Sequence, residues 1–327
     1  MDTGTHLVFG LGLAGLAHID PVIASDQSHI IAVMVGTVIG SQIPDADGLM
    51  RLKNNAAYIR NHRGLSHSLP AMVVWTLLIV GVLVCLFDHL PVWHVGFWVG
   101  LAVCVHVGSD LFNTYGTQGL RPFSQKWISW NIIHIFDPFI FTSHVIAIVI
   151  WSLGLVEPHF IFPTLYVLIV CYYMWRTLVH HQLKKNLLHQ DTYFETGDTY
   201  ELFTTYHIHV WHVLKVKKNG LFVLGELKSG RLNWVDAVKC ENHPAIDASK
   251  HHEDVQAMLY FSSYACPSVK LHTWGYEVRW SDIRYRYRKQ YPFVAVVVMN
   301  FEFEILDTFT GWVSESKLEK KLRLDLY

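Results

Sequence analysis

The chain predicts an α-helical integral membrane domain followed by a β-rich soluble C-terminal domain, and three observations carry that reading. Apolar segments fill the first half, and those at 69–87 and 92–112 match the roughly 20 residues that cross a hydrocarbon core. Basic residues avoid that half: Lys and Arg occur six times in residues 1–175, leaving 20 of the 26 for the rest. Hairpin signals, turn pairs between β-prone runs, appear in the second half. A split this sharp marks a membrane part and a water-facing part, divided after residue 182: a domain at 1–182 and another at 183–327.

Six apolar segments follow one another, at 6–17, 30–43, 69–87, 92–112, 139–156 and 160–178. The first two are short, either thin spans or a re-entrant hairpin, so four to six spans are expected. Gly4, Gly10, Gly12 and Gly15 in the first permit close helix packing in lipid. Gly10, Gly12 and Gly15 also match a dinucleotide-binding spacing, but no strand precedes them, so packing explains them better. Loops 48–68 and 113–138 hold all six basic residues, whereas loops 18–29, 88–91 and 157–159 hold none. The positive-inside rule then puts the basic loops and the whole C-terminal part in the cytoplasm. The chain opens Met-Asp without a basic n-region, so no removable signal peptide is expected.

Beyond residue 183, the run 207–217, the Asn219-Gly220 pair and the run 221–228 predict a hairpin with a type I′ turn. Ser229-Gly230 offers a second turn into 232–239. Further strand-like runs are 270–280, 283–288 and 293–301, and helices are expected over 251–262 and near 315–322. Five cysteines without a C-x-x-C pair read as buried reduced thiols. A net charge of −1 gives no global drive towards nucleic acid. The basic–aromatic run 283–291 could meet nucleic acid or anionic headgroups, but a solvated strand face explains it as well.

Seven residues of metal-ligand type fall at the same ends of the apolar segments: His6, Asp45, Asp47, His62, His67, His106 and Asp110. Ionisable groups beside hydrocarbon are costly and default to a functional reading. Imidazoles with carboxylates suit zinc, and also manganese or iron. His106 and Asp110 stand one helical turn apart on one face, although a pair of this kind can simply stitch helices together. In the run His62-Arg-Gly-Leu-Ser-His67-Ser, Gly64 allows a tight turn, while Ser66 and Ser68 can cap the next helix. Pro44-Asp45-Ala46-Asp47-Gly48 can chelate a cation or serve as a solvated turn. An EF-hand is disfavoured because Gly48 stands fourth from Asp45 and Ala56 twelfth. No H-E-x-x-H run occurs. Seven ligands exceed one tetrahedral shell, which favours two metals or a generous outer shell.

These motifs in this order, with Thr5-His6, Thr114–Thr117, Pro122-Phe123 and Asp137-Pro138, resemble the YdjM-like family. That family is described as LexA-binding, inner-membrane-associated metal-dependent hydrolases, and the likeness is greatest to its YfhP-type members from Gram-positive bacteria. The resemblance covers roughly residues 1–180 and implies a multi-pass protein of the bacterial inner membrane. It also implies metal-dependent, phospholipase-like hydrolysis, with one or two zinc ions as the expected cofactor. Asp137 is the candidate general base or outer-shell orienter, and Arg63 a bidentate clamp for a substrate phosphate. Membrane lipid or a lipid-linked phosphoester is the expected substrate. The rival readings are a metal or stress sensor acting on a regulatory protein through the C-terminal domain, and a transporter. Transport is disfavoured because the ionisable groups gather at one end instead of mid-membrane.

Overall fold

The computed structural model describes residues 1–286 and 290–322. The chain forms two compact units that interleave along the sequence: residues 1–47, 63–188 and 202–211 form the first, and 48–62, 189–201 and 212–327 the second.

The first unit is helical. It contains α1 (Thr3–Leu16), α2 (Pro21–Ala24) and α3 (Gln27–Gly40), then α5 (Leu69–Leu86), α6 (Val92–Leu111), α7 (Pro138–Ser152) and α8 (Pro158–Gln190); the intervening α4 (Asn55–Asn61) belongs to the second unit. Helices α5, α6 and α8 are long and apolar enough to cross a membrane. A fourth crossing is made if α3 and the 3₁₀ segment Ile43–Leu52, bent by 45°, count as one broken span. Three or four candidate spans thus meet the expected four to six only at its lower bound, and only with the broken span counted. The segment at 139–156 shortens to the 15 residues of α7, because Asp137 caps its start and Gly154, at φ +65°, ends it.

Glycines set the packing of α1. A Cβ added to Gly10 would lie 2.9 Å from the Thr37 carbonyl oxygen of α3, and one on Gly15 would lie 2.0 Å from the Phe162 ring of α8. Helix α3 in turn packs on α5 and α6. At 33 residues α8 is about 50 Å long, well beyond a bilayer core of about 30 Å, so the expected boundary after residue 182 falls inside a continuous helix.

Two four-stranded antiparallel sheets follow; the second lies wholly in the second unit, and the first is divided, since residues 202–211 belong to the first unit. The first runs β1 (Thr199–Thr204), β2 (Val210–Val216), β3 (Leu221–Lys228), β4 (Arg231–Lys239); the second runs β5 (Ala265–His272), β6 (Gly275–Asp282), β7 (Phe293–Met299), β8 (Ile305–Trp312). Helices α9 (Pro244–Ser249), α10 (Glu253–Phe261) and α11 (Glu315–Lys321) complete the second unit. All seven residues of β7 are buried, and the pleat divides them. Phe293, Ala295, Val297 and Met299 pack with Val255 and Met258 of α10, whereas Val294, Val296 and Val298 pack with Phe309 and Leu318. Ala56 and Ile59 of α4 join the α10 cluster, which draws residues 48–62 out of the membrane part and into this core.

Several expectations are corrected here. The type I′ turn is at Ser229-Gly230, where both residues have positive φ (+51° and +77°), while at Asn219-Gly220 only the glycine does. The run 270–280 is a hairpin, not one strand, because His272 pairs with Gly275 and the chain turns between them. Residues 283–286 form no strand, and 287–289 lie outside the described residues. The cysteines are also not all buried thiols: Cys240 and Cys266 form a disulfide with a Cα–Cα separation of 5.1 Å, and Cys85, Cys104 and Cys171 are exposed on α5, α6 and α8. An odd count hid a pair 26 residues apart that only the fold brings together. In denatured protein, alkylating reagents should therefore modify neither Cys240 nor Cys266 before reduction and both after it, as peptide mass spectrometry would show; modification without reductant would disprove the bond.

Candidate metal centre

The site is built from three local features of the first unit. Helix α6 ends with His106 and Asp110 on one face, both fully buried. The run 62–68 folds back as a 3₁₀ turn at Leu65–His67, then enters α5 with Ser68 as N-cap, accepting a hydrogen bond from Ala71 N. The left-handed residue in this turn is Arg63, at φ +58°, and not Gly64. Asp45 follows α3 at the start of its 3₁₀ segment.

One donor atom from each of Asp45, His67, His106 and Asp110 lies within 4.8 Å of the other three. His67 Nε2 is 3.2 Å from His106 Nε2, 3.5 Å from Asp45 Oδ1 and 3.3 Å from Asp110 Oδ2. His106 Nε2 is 3.7 Å from Asp45 Oδ1 and 3.8 Å from Asp110 Oδ2. A tetrahedral ion with ligands at about 2.0–2.1 Å sets its donors roughly 3.3–3.4 Å apart, so these spacings fit one ion with slight contraction.

Three further observations support the fit. Asp45 Oδ1 and Asp110 Oδ2 are buried without a hydrogen-bond partner among the described residues, a state that is costly unless a cation completes it. His106 Nδ1 is 2.7 Å from the Ser41 carbonyl oxygen, to which it donates, so its Nε2 presents a lone pair to the centre. Burial pushes the His67 imidazole down to about 3, against the pull of Asp45, so it is neutral and ligand-competent.

Asp47, His6 and Arg63 adjoin this set. Asp47 stands on the outer side of His67: its Oδ2 accepts hydrogen bonds from Ser66 Oγ at 2.5 Å and Arg63 N at 2.9 Å, and lies 3.7 Å from His67 Nδ1. Ser66 Oγ is also 2.9 Å from His67 Nδ1. A carboxylate–hydroxyl–imidazole chain thus orients the ligand nitrogen inward. His6 stacks on His106 with ring centroids 3.7 Å apart and puts Nε2 3.5 Å from Asp110 Oδ1 and 2.9 Å from the Met1 α-amino group. That amino group also contacts Asp110 Oδ1. Arg63 is buried, with Nη2 3.0 Å from Asp110 Oδ1 and 3.2 Å from the Met1 carbonyl oxygen, and Nη1 on Asn113 Oδ1 at 3.1 Å. His62 caps α4 in the second unit and stacks on Tyr58 there. Asp137 caps α7 through Phe139 N and Ile140 N, and its second oxygen accepts from Tyr172 Oη at 2.8 Å.

This architecture has a family. Residues 1–183 match the family described as YdjM inner membrane protein. The chain belongs to the YdjM inner membrane protein family. Residues 244–322 match the YfhP C-terminal alpha/beta plait domain, which here comprises the second sheet with α9, α10 and α11. A Bacillus subtilis (strain 168) protein, YfhP, is 40% identical over 328 residues, covering 99% of each chain. No solved structure matches the chain significantly. In this YdjM-family chain Ser41, Ser66 and Asn113 escaped the sequence reading. Ser66 reads there as a helix cap, and its hydroxyl instead bridges Asp47 to His67. Asn113 donates to Asp110 Oδ1 at 3.1 Å and accepts from Arg63, Tyr115 N and Gly116 N. Only its place three residues after Asp110, ahead of a turn with Gly116 at φ +67°, hinted at this.

Replacing Ser66 by Ala removes the bridge but no ligand. Metal affinity should fall by roughly 10–100-fold, the usual effect of losing an outer-shell partner, with full occupancy recovered at high metal concentration. Competition titration against a chelator measures it, and an unchanged affinity would remove Ser66 from the centre.

Proposed function

We propose that the chain is a membrane-bound metal-dependent hydrolase that cleaves a phosphoester of a membrane lipid at the cytoplasmic face. The observation that carries this reading is the set of four donor atoms at metal-ligand spacing, two of them carboxylate oxygens left otherwise unpaired, at the end of a membrane-spanning helix. Two imidazole nitrogens and two carboxylate oxygens suit a single zinc ion, with manganese or iron as the alternatives. Such an ion supplies Lewis-acid polarisation of the scissile phosphoryl group and acidification of a water.

The protein groups have separate tasks. His67 and His106 hold neutral nitrogens towards the centre, each fixed from behind, by Ser66 and by Ser41. Asp45, with 22% of its side chain exposed, is the member of the four through which solvent and substrate reach the site. Arg63 neutralises the outward oxygen of Asp110 and places a fixed positive charge where negative charge develops. Its Nη2 is shared with the Met1 carbonyl, so a bidentate phosphate clamp requires that carbonyl to leave. Asp137, whose two oxygens both serve the α7 cap and Tyr172, is assigned to architecture and not to proton transfer.

One observation favours a non-catalytic sensor: four protein ligands can close a tetrahedral shell, as structural sites do. Metal analysis of the detergent-purified protein, followed by a panel of phosphodiester and phospholipid substrates, separates the two. Bound metal with turnover supports the hydrolase; bound metal without turnover across the panel supports the sensor.

The cytoplasmic orientation rests on the six basic residues confined to two loops. The Cys240–Cys266 disulfide pulls the other way, since such bonds persist mainly in oxidising compartments. With the native cysteines replaced, Lys53→Cys and Lys184→Cys should resist a membrane-impermeant thiol reagent in intact cells and react after lysis. Labelling in intact cells would reverse the orientation.

A further inference from the structure

An apolar cavity of about 480 Å³ lies between α6 and α8 in the first unit. Its two walls meet at Phe112, the residue that ends α6, and Tyr173 of α8, whose ring centroids are 4.7 Å apart. On α8 its wall runs from Tyr166 to Thr177, a stripe at one-face spacing roughly 16 Å long. On α6 it is formed by Val105, Gly108, Ser109 and Phe112, interleaved with the metal-centre residues His106 and Asp110. Phe9 of α1 completes it, one turn from His6.

The chemistry of the lining selects the occupant. Four hydroxyls border the cavity, and each is already used within the protein. Tyr166 donates to the Phe9 carbonyl oxygen, Ser109 to that of His106 and Thr177 to that of Tyr173, while Tyr173 reaches Met1 Sδ. A wall with its polar groups satisfied internally does not hold water or a headgroup; it accepts hydrocarbon. Both flanking helices are long and apolar enough to cross a membrane, which sets a groove between them beside acyl chains.

We infer that this cavity is an acyl-chain groove that seats one chain of a phospholipid and brings its phosphoester to the metal centre. The assignment of that lipid as substrate rests on the hydrolase reading; seating of the chain does not. Gly108 lines the groove without a side chain, and a Cβ added there meets nothing within 4 Å, so a larger residue can be introduced at this wall.

The test uses the full-length protein in vesicles of phosphatidylglycerol doped with a phosphatidylglycerol carrying a photoactivatable diazirine in one acyl chain. After illumination, cross-links should concentrate on cavity-lining residues of α6 and α8. In Gly108→Leu, and independently in Val170→Trp on the opposite wall, this labelling should fall by about tenfold or more while metal content and melting temperature stay unchanged. Gly81→Leu, equally unobstructed but on α5, should keep it. His67→Ala should lose metal and keep the labelling, so failure of the hydrolase reading leaves the groove testable. Labelling unchanged in both filling variants, or spread evenly along α5, would overturn the proposal.

Discussion

His67→Ala should leave the purified protein without its metal and without hydrolytic turnover. His67 Nε2 is the donor closest to the other three, at 3.2, 3.3 and 3.5 Å, so its loss opens the shell on the side where those ligands converge. The helices should still assemble, because His67 belongs to a 3₁₀ turn between elements and not to the apolar clusters. Metal content by mass spectrometry, read beside a melting curve in detergent, decides the matter. Full metal in a folded variant would dissolve the four-residue centre. The same side chain predicts a pH dependence in metal-free protein. Burial lowers its folded-state pKa from 6.5 to about 3, so the native state refuses a proton that the unfolded chain accepts. The stability linked to it is present above 6.5 and is lost as pH falls towards 3; in His67→Ala that part of the acid sensitivity should disappear.

Asp110→Asn should do more damage to the fold than any other change at the site. Asp110 is fully buried, with Oδ2 towards the metal donors and Oδ1 against Arg63, Asn113, His6 and the Met1 α-amino group. The amide leaves Arg63 buried and charged without its carboxylate. Removing one member of a buried ion pair costs about 3–5 kcal/mol, enough to lower the melting temperature by several degrees in addition to the loss of metal. Adding Arg63→Met to the same chain should restore most of the stability and none of the metal, because the uncompensated charge goes while the missing ligand does not return. A double variant no more stable than the single one would show that Arg63 and Asp110 are not coupled.

Much of this chain was legible without coordinates where the signal is local. The apolar lengths of α5, α6 and α8, the helical spacing of His106 and Asp110, the strand β3 and the helix α10 all follow from runs that one element satisfies by itself. Strands β1 and β8 carry no such local signal. Residues 305–312 (ILDTFTGW) end in Gly-Trp and lack clean alternation; β8 gains its identity from pairing with the wholly buried β7. Helix α4 carries no signal of its own, since seven residues hold no helix alone; it forms because Ala56 and Ile59 complete a core built from residues 245–299.

The sequence by itself determined that this protein meets a membrane with several helices, carries a sheet-rich part after them, and gathers imidazoles and carboxylates at one set of helix ends. Residue type and spacing suffice for those conclusions, since hydrophobic length and helical period are properties of single segments. Only the tertiary structure decided which residues face one another: Asp45, His67, His106 and Asp110 around one centre, Asp47 behind His67 through Ser66, Asp137 on a helix cap, and Cys240 against Cys266. The physical reason is that coordination and pairing depend on directions and distances of a few ångströms between distant segments. The packing of α1, α3, α5 and α6 sets those within the membrane unit, and no single stretch of chain encodes them.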